Sequence, residues 1–319
     1  MPVLELVTGF DIFADGRAVR VSGPDDAAPQ GVAYRWLHFD INSAAAADWM
    51  RANLPAIPAE AMVQTETRPR SNLFGEGVLI NLRGINLNTG AQEDDMVSLR
   101  MWLTQNLLVT GRFRRIFAME ELVAMAEAGH APRTPGGLVA EICEGLSDRI
   151  ENVSLKLEDD ADTLEDELLD TSNVDALRLA VTRRKAIRLR RHIIPSRDAM
   201  HVLASPETPQ IGPEESALLR ESADRMDRSV EEILAVGERL TAVADQLDAI
   251  AANKIGRNSY ILSVFAAIFL PLGFLTGLFG MNVGGLPWVD WPWGFLAISA
   301  IMAVIGIGLY WLFRASKWL

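Results

Sequence analysis

Cysteine is nearly missing from this chain of 319 residues, with Cys143 standing alone. That excludes an internal disulfide framework and a Cys-rich zinc site, and it suits a reducing compartment. Histidine is also scarce. His38, His130, His192 and His201 form no ligand-spaced pair, so each reads as a surface or packing residue, and Cys143 as a small core residue of its helix. A zinc site built from two chains stays open. No glycine loop ending in Lys and Ser/Thr occurs, which argues against ATP hydrolysis in this chain. The segment from Met1 to Phe10 lacks the basic and apolar regions of a signal peptide, so the soluble part is expected in the cytosol.

Charge is missing from one end. Of 72 charged side chains, only Asp290, Arg314 and Lys317 lie beyond residue 257, which leaves 28 basic and 41 acidic residues before it, a net charge of −13. An acidic surface of this kind argues against a nucleic-acid partner, because phosphate neutralisation needs clustered cations. It favours cations instead.

The uncharged end contains two runs of 20 residues, Tyr260 to Phe279 and Gly294 to Phe313. At 1.5 Å per residue each spans about 30 Å, the thickness of a bilayer's hydrocarbon, so both read as transmembrane helices. Lys254 and Arg257 precede the first and Arg314 and Lys317 follow the second, while the loop 280–293 has no Lys or Arg. The positive-inside rule then puts both termini in the cytoplasm and the loop outside. Trp288, Trp291 and Trp293 at one edge, with Tyr310, Trp311 and Trp318 at the other, suit interfacial belts. The competing reading is a buried hairpin in a soluble core.

Before the hairpin, the first 130 residues read as an α/β domain. Strand patterns fall at Leu4 to Phe13, Val32 to Phe39, Val78 to Leu82 and Ile116 to Met119, and helix patterns at Ser43 to Asn53 and, more weakly, Gln92 to Gln105. Residues 131–257 read as long helices. Leu138, Ile142, Leu146, Val153, Leu157, Leu164 and Leu168 mark one, Val174 to Ile194 the next. Eight acids between Glu158 and Asp170 face eight basic residues between Arg178 and Arg197, read as solvated faces or antiparallel neighbours exchanging salt bridges. From Glu214 to Phe279 the pattern predicts one rod. Its seam runs through Leu219, Ala223, Met226, Val230, Ile233, Gly237, Leu240, Ala244, Leu247 and Ala251 at heptad steps, and it needs either the other long helices or copies of itself.

One face of the first span is made of small residues. Gly256, Ser259, Ser263, Ala266, Leu270, Gly273 and Gly277 recur at steps of three and four, small or weakly polar apart from Leu270. Such a stripe either lets helices touch in lipid or leaves room for an axial water path between symmetric copies. Two spans cannot enclose a hydrophilic path, so a pore needs several copies.

Directly after the span stands Gly280-Met281-Asn282. With it the sequence resembles the CorA superfamily of divalent metal transporters, whose two-span hairpin carries Gly-Met-Asn at its outer mouth. Further likeness lies in Glu66-Thr67-Arg68-Pro69-Arg70, Leu82-Arg83-Gly84-Ile85-Asn86-Leu87-Asn88 and Asp94-Asp95-Met96-Val97-Ser98, which look like the bacterial zinc-transporter branch. Gly284-Gly285-Leu286-Pro287 is less acidic than the corresponding run in magnesium-type relatives. The resemblance implies a funnel-shaped homopentamer in the bacterial inner membrane. In it an α/β cytosolic domain and long stalk helices lead into a two-helix transmembrane hairpin over residues 258–319, with the first span lining the pore. It also implies zinc uptake coupled to protons, Zn2+ being a transported ion with no bound cofactor. The alternatives are a magnesium or cobalt channel of the same superfamily and a membrane-anchored coiled-coil scaffold.

In this reading Asn282 offers an amide oxygen and Gly280 and Met281 offer carbonyls, a neutral ring able to hold a hydrated cation without capturing it. Gly280 and Asn282 also suit a plain helix cap. Asp290 either raises the local cation concentration or merely solubilises the loop. An anchored enzyme ranks third: Arg68, Arg70 and Arg83 near Asp94 and Asp95 supply no nucleophile and base.

Overall fold

A computed structural model describes residues 6–171, 174–281, 283, 286–287 and 291–315. The chain divides into two compact units, residues 1–244 and 245–319.

The first unit is built on a seven-stranded sheet. Its strands are β1 (Leu6–Phe13), β2 (Ala18–Arg20), β3 (Val32–Asp40), β4 (Arg70–Phe74), β5 (Gly77–Gly84), β6 (Val97–Leu103) and β7 (Leu107–Arg112), in the order β2-β1-β3-β7-β6-β5-β4. Every pairing is antiparallel except β3 with β7, which joins two antiparallel halves. Parallel strands need a long crossover, and here it carries α1 (Ala44–Asn53), α2 (Ala56–Val63) and three strands. Met50, Ala59 and Met62 of the two helices pack with Leu37, Phe39, Leu79, Trp102 and Val109 of the sheet. Across the register pair Asp11–Arg35 the carboxylate receives both arms of the guanidinium, at 2.7 and 2.9 Å, so this nearly buried charge is satisfied. Gly77 is held to glycine by packing, because an added Cβ would collide with the Trp102 ring.

Two predicted segments change type. Gln92 to Gln105 holds no helix but β6, paired on both sides. Its apolar residues sit on both faces, so its periodicity does not separate a buried strand from a buried helix. The turn at residues 104–106, closed by Thr104 N to Leu107 O at 2.9 Å, decides it by making a hairpin with β7. Ile116 to Met119 is likewise no strand. Ile116 is the extended N-cap of α3 (Phe117–Glu127), which ends where Gly129, at φ 76°, turns the chain into the left-handed region.

Long helices follow. Along α4 (Pro135–Thr171), Leu138, Ile142, Leu146, Val153, Leu157, Leu164 and Leu168 are all buried, as their spacing predicts. Asp175 caps α5 (Ala176–Leu203) by accepting from Leu177 N at 2.9 Å. That helix runs nine residues past the expected end at Ile194 and carries Pro195 inside it. α6 (Pro213–Phe279) is continuous over 67 residues. Within the first unit its seam is buried by its own chain: Leu219, Ala223, Met226, Val230, Ile233 and Leu240 have almost no exposure. Polar ties support that packing. Ser154 Oγ donates to Glu232 at 2.7 Å, His201 meets Asp227 at 2.8 Å, and Arg239 binds Glu165 at 2.7 and 2.8 Å and also Asp162.

The second unit holds the rest of α6 and α7 (Gly294–Ala315). Their apolar windows have a mean hydropathy of 2.2 each, yet only 6% and 0% of these windows is buried. A soluble core hairpin would hide this surface, so the two helices are membrane spans.

Candidate ion-conduction site

The expected path lies on the second half of α6. Gly256, Ser259, Ser263, Ala266, Leu270, Gly273 and Gly277 are all exposed within the chain. A Cβ placed on Gly256, Gly273 or Gly277 would meet no atom within 4 Å. By contrast Val264, Ile268, Pro271, Leu272, Leu275, Leu278 and Phe279 are buried or half-buried. This second set faces α7: the Cδ1 of Leu272 lies 3.9 Å from where a Cβ on Gly306 would stand. At about 100° per residue the two sets point roughly 150° apart on the helix. The small stripe is therefore turned away from the one neighbour that the chain supplies.

The stripe's hydroxyl groups are spent locally. Ser263 Oγ donates to Ser259 O and Thr276 Oγ1 to Gly273 O, each at 2.9 Å. What remains is space and backbone, and no ionisable group other than Tyr260 follows Arg257 on α6.

At the end of the span Gly280 N donates to Thr276 O at 2.9 Å, and Met281 N reaches Leu278 O only at 3.5 Å. The helical ladder ends there. A Cβ on Gly280 would lie 2.8 Å from Thr276 O, so glycine is required by close approach of backbone. Gly280 thus forms the cap, and the half-exposed Met281 follows it. Asn282 and Asp290 lie outside the described residues.

Elsewhere, no group of three or more His, Cys, Asp or Glu able to hold a metal occurs among the described residues. His38 is a core residue, its Nδ1 2.8 Å from Thr110 Oγ1, and burial drives its pKa down to about 3. It is neutral. Cys143 is fully buried, which pushes its thiol up to about 12 and leaves it unreactive.

Residues 32–315 match the family model of the CorA-like Mg2+ transporter protein. The chain belongs to the CorA family of divalent metal transporters. Among curated relatives, the zinc transport protein ZntB of Pectobacterium atrosepticum is 34% identical over 286 residues, covering 89% of this chain and 88% of its own. ZntB of Yersinia enterocolitica is 31% identical over 307 residues, with 96% and 94% covered. Both are transport proteins by name. Among solved structures, full-length CmaX superposes with a TM-score of 0.85 at 30% identity, over 98% of each chain. The complete CorA magnesium transporter of Methanocaldococcus jannaschii gives 0.81 at 20% identity, over 99% of this chain and 100% of its own, a likeness of fold. The CorA family membership thus agrees with the Gly-Met-Asn motif and with the charged motifs of the first unit.

Those charged motifs hold what sequence reasoning missed. Arg68, Arg83, Asp94 and Asp95 come together on one cleft, while Arg70 is exposed on β4 and does not line it. The signal was present as three charged segments within residues 66–98. Their convergence needed the β5–β6 pairing and the approach of α5.

Proposed function

We propose that this CorA-family protein takes up zinc across the bacterial inner membrane, through an axial path lined by the second half of α6 from five copies. The observation that carries this reading is the small stripe left open on the side of α6 opposite α7. A hairpin that served only as an anchor has no use for seven small or exposed positions in register, ending at Gly280-Met281-Asn282. The identity with ZntB proteins supports zinc as cargo.

α7 then takes the outer, lipid-facing position, and both termini lie in the cytoplasm. Zinc prefers Cys and His ligands, and neither occurs on the path, so the ion passes hydrated or through oxygen contacts. The Asn282 amide and the carbonyls of Gly280 and Met281 orient its water shell at the mouth, and Asp290 raises the local cation concentration there. Gly277, Gly273, Leu270, Ala266, Ser263, Ser259 and Gly256 follow inward. The driving force is the membrane potential, about 2.3 kcal/mol per charge per 100 mV, joined by a proton gradient.

Purified protein in liposomes tests this with zinc, cobalt, nickel and magnesium, each with and without a pH gradient. Zinc entry that rises with an inward proton gradient is expected, together with a pentameric mass by light scattering. A monomer of intact helicity, or magnesium flux without zinc flux, overturns the reading.

A further inference from the structure

The transport path leaves the charged motifs of the first unit without a task, although they build a half-open cleft of about 1010 Å3. Arg68 precedes β4, Arg83 lies on β5, Arg114 follows β7, and Arg188 and Arg191 come from α5; all five line it. Its carboxylates are Glu66, Asp94 and Asp95. Two of these are taken, Asp94 by Arg188 at 3.2 Å and Asp95 by Arg114 at 3.2 Å. Glu66 is exposed and acts on Arg83 only through space.

Arg83 is left with carbonyls alone: Nη2 donates to Thr67 O at 2.7 Å and Nη1 to Met96 O at 3.3 Å. Arg68 and Arg191 make no hydrogen bond or ion pair among the described residues. The register Asn81–Arg100 and Arg83–Ser98 puts Arg83 and Arg100 on one face of the sheet. Arg100 is fully buried, donates to Met62 O at 2.8 Å, stacks 4.5 Å over the lining ring of Phe113, and has no carboxylate partner. Its Nε has no partner at all. A buried guanidinium without a counter-anion is costly, and here two lie side by side.

Two groups register the resulting positive field. Burial, with Arg83 adding, drives Arg100 down to about 10. His192 is lowered first by burial and then by Arg83 and Arg191, with Asp95 opposing.

We propose that this cleft binds a small soluble anion carrying at least two phosphate groups, held chiefly by Arg83 and Arg191 with Arg68 completing the set. Five arginines against three carboxylates leave two positive charges on the lining, which a dianion neutralises. Phosphate fits because the guanidinium is a planar fork that grips its oxygens two at a time. The cleft is at the upper end of the roughly 300–1,000 Å3 common for small-molecule sites, so a nucleotide-sized ligand has room. A metal ion is excluded by the sign of the field.

Calorimetric titration of the full-length protein in detergent, at about 0.15 M ionic strength so that diffuse attraction is screened, tests it with inorganic pyrophosphate, ATP and citrate. Saturable binding of pyrophosphate and ATP, one per chain, is expected. Arg191→Gln and Arg68→Gln, both at exposed positions that leave the fold intact, each weaken it by about tenfold or more. Arg228→Gln removes the same charge from α6 outside the cleft and changes affinity less than about twofold. As the anion offsets Arg83 and Arg191, His192 takes up a proton near pH 6, so the heat depends on the buffer's ionisation enthalpy, and His192→Gln removes that dependence. Failure to saturate at millimolar ligand, equal affinity for citrate, or an equal loss in Arg228→Gln overturns the proposal.

Discussion

Replacing Gly273 or Gly277 by Leu separates a path from a packing surface, because the two roles respond in opposite ways. In the chain itself neither change meets resistance: no atom lies within 4 Å of a Cβ at either position, and both residues point away from α7. The substitution creates neither cavity nor overlap, so its cost through lost packing is under about 0.5 kcal/mol. Leaving glycine in a helix interior returns up to about 1 kcal/mol. A leucine at the middle of a span favours insertion by a few tenths of a kcal/mol more, on the order of 0.3–0.6. Stability and membrane insertion should therefore hold or improve. In an assembly whose axis runs along this stripe, however, every copy adds an isobutyl group to one level of the path, and a ring of aliphatic side chains excludes the water that a hydrated cation brings with it. A tenfold fall in flux needs only about 1.4 kcal/mol of added barrier, which such a ring supplies. The assay is zinc entry into liposomes, normalised to reconstituted oligomer. Gly308→Leu on α7 is the control, since its position is equally open and lies off the path. Wild-type flux in both α6 variants refutes the axial path. Loss of the oligomer in either variant refutes it too, and makes the stripe a contact between helices.

At the mouth, Asn282→Ala should abolish selective flux, whereas Asp290→Asn should lower only the entry rate, and less so as salt rises, because a field of this kind is screened within about 8 Å at physiological ionic strength. Radiotracer flux of each variant across a salt series checks the pair, and the reverse ranking makes the carboxylate the filter. In the first unit, Arg239→Gln removes the ties to Glu165 and Asp162, which are about one-third and one-half exposed, so the loss should be about 1 kcal/mol, or roughly 2–4 °C in Tm. Hydrogen bonding to Arg239 holds Glu165 below the usual carboxylate range. Its contribution is therefore present above the unfolded pKa and lost as pH falls through the lowered folded value, so thermal melts of wild type and variant should converge below about pH 4 and stay apart at pH 7.

The hairpin and the long helices were legible because their causes are local. Hydrocarbon demands about 20 apolar residues, and Gly294 to Phe313 supplies them within α7 (Gly294–Ala315). A heptad seam demands a helix, and Glu214 onward follows it. What escaped depended on neighbours remote in sequence. β6 read as a weak helix because both its faces are buried, against α2 on one side of the sheet and by α4's side on the other, and only pairing with β5 and β7 settles its type. α5 was expected to stop before Pro195, yet Ser196, Ala199, Met200 and Leu203 are buried along its continuation, which offsets the hydrogen bond that proline removes.

The seam and the stripe of α6 also turned out to answer to different neighbours. Leu219 to Leu240 needs no second copy, since α4 and α5 bury it within the chain, so the case for association rests on the stripe beyond residue 256 alone. Charge pairing was redistributed in the same way. The basic run of α5 was expected to answer the acidic run of α4, and Arg178 does so, meeting Asp160 at 3.5 Å and Glu167 at 2.9 Å. Asp162 and Glu165 go to Arg239 of α6 instead, while Lys185 and Arg188 turn to Glu93 and Asp94 of the β5–β6 connection. Because α6 satisfies those acids, the next cations along α5 have no carboxylate left to meet. Arg191 comes to lie beside Arg83, a like charge, and the sheet beneath adds Arg100 rather than an acid. A cleft whose positive charge exceeds its own counter-charges is a consequence of that competition between three helices, and no single segment of the sequence contains it.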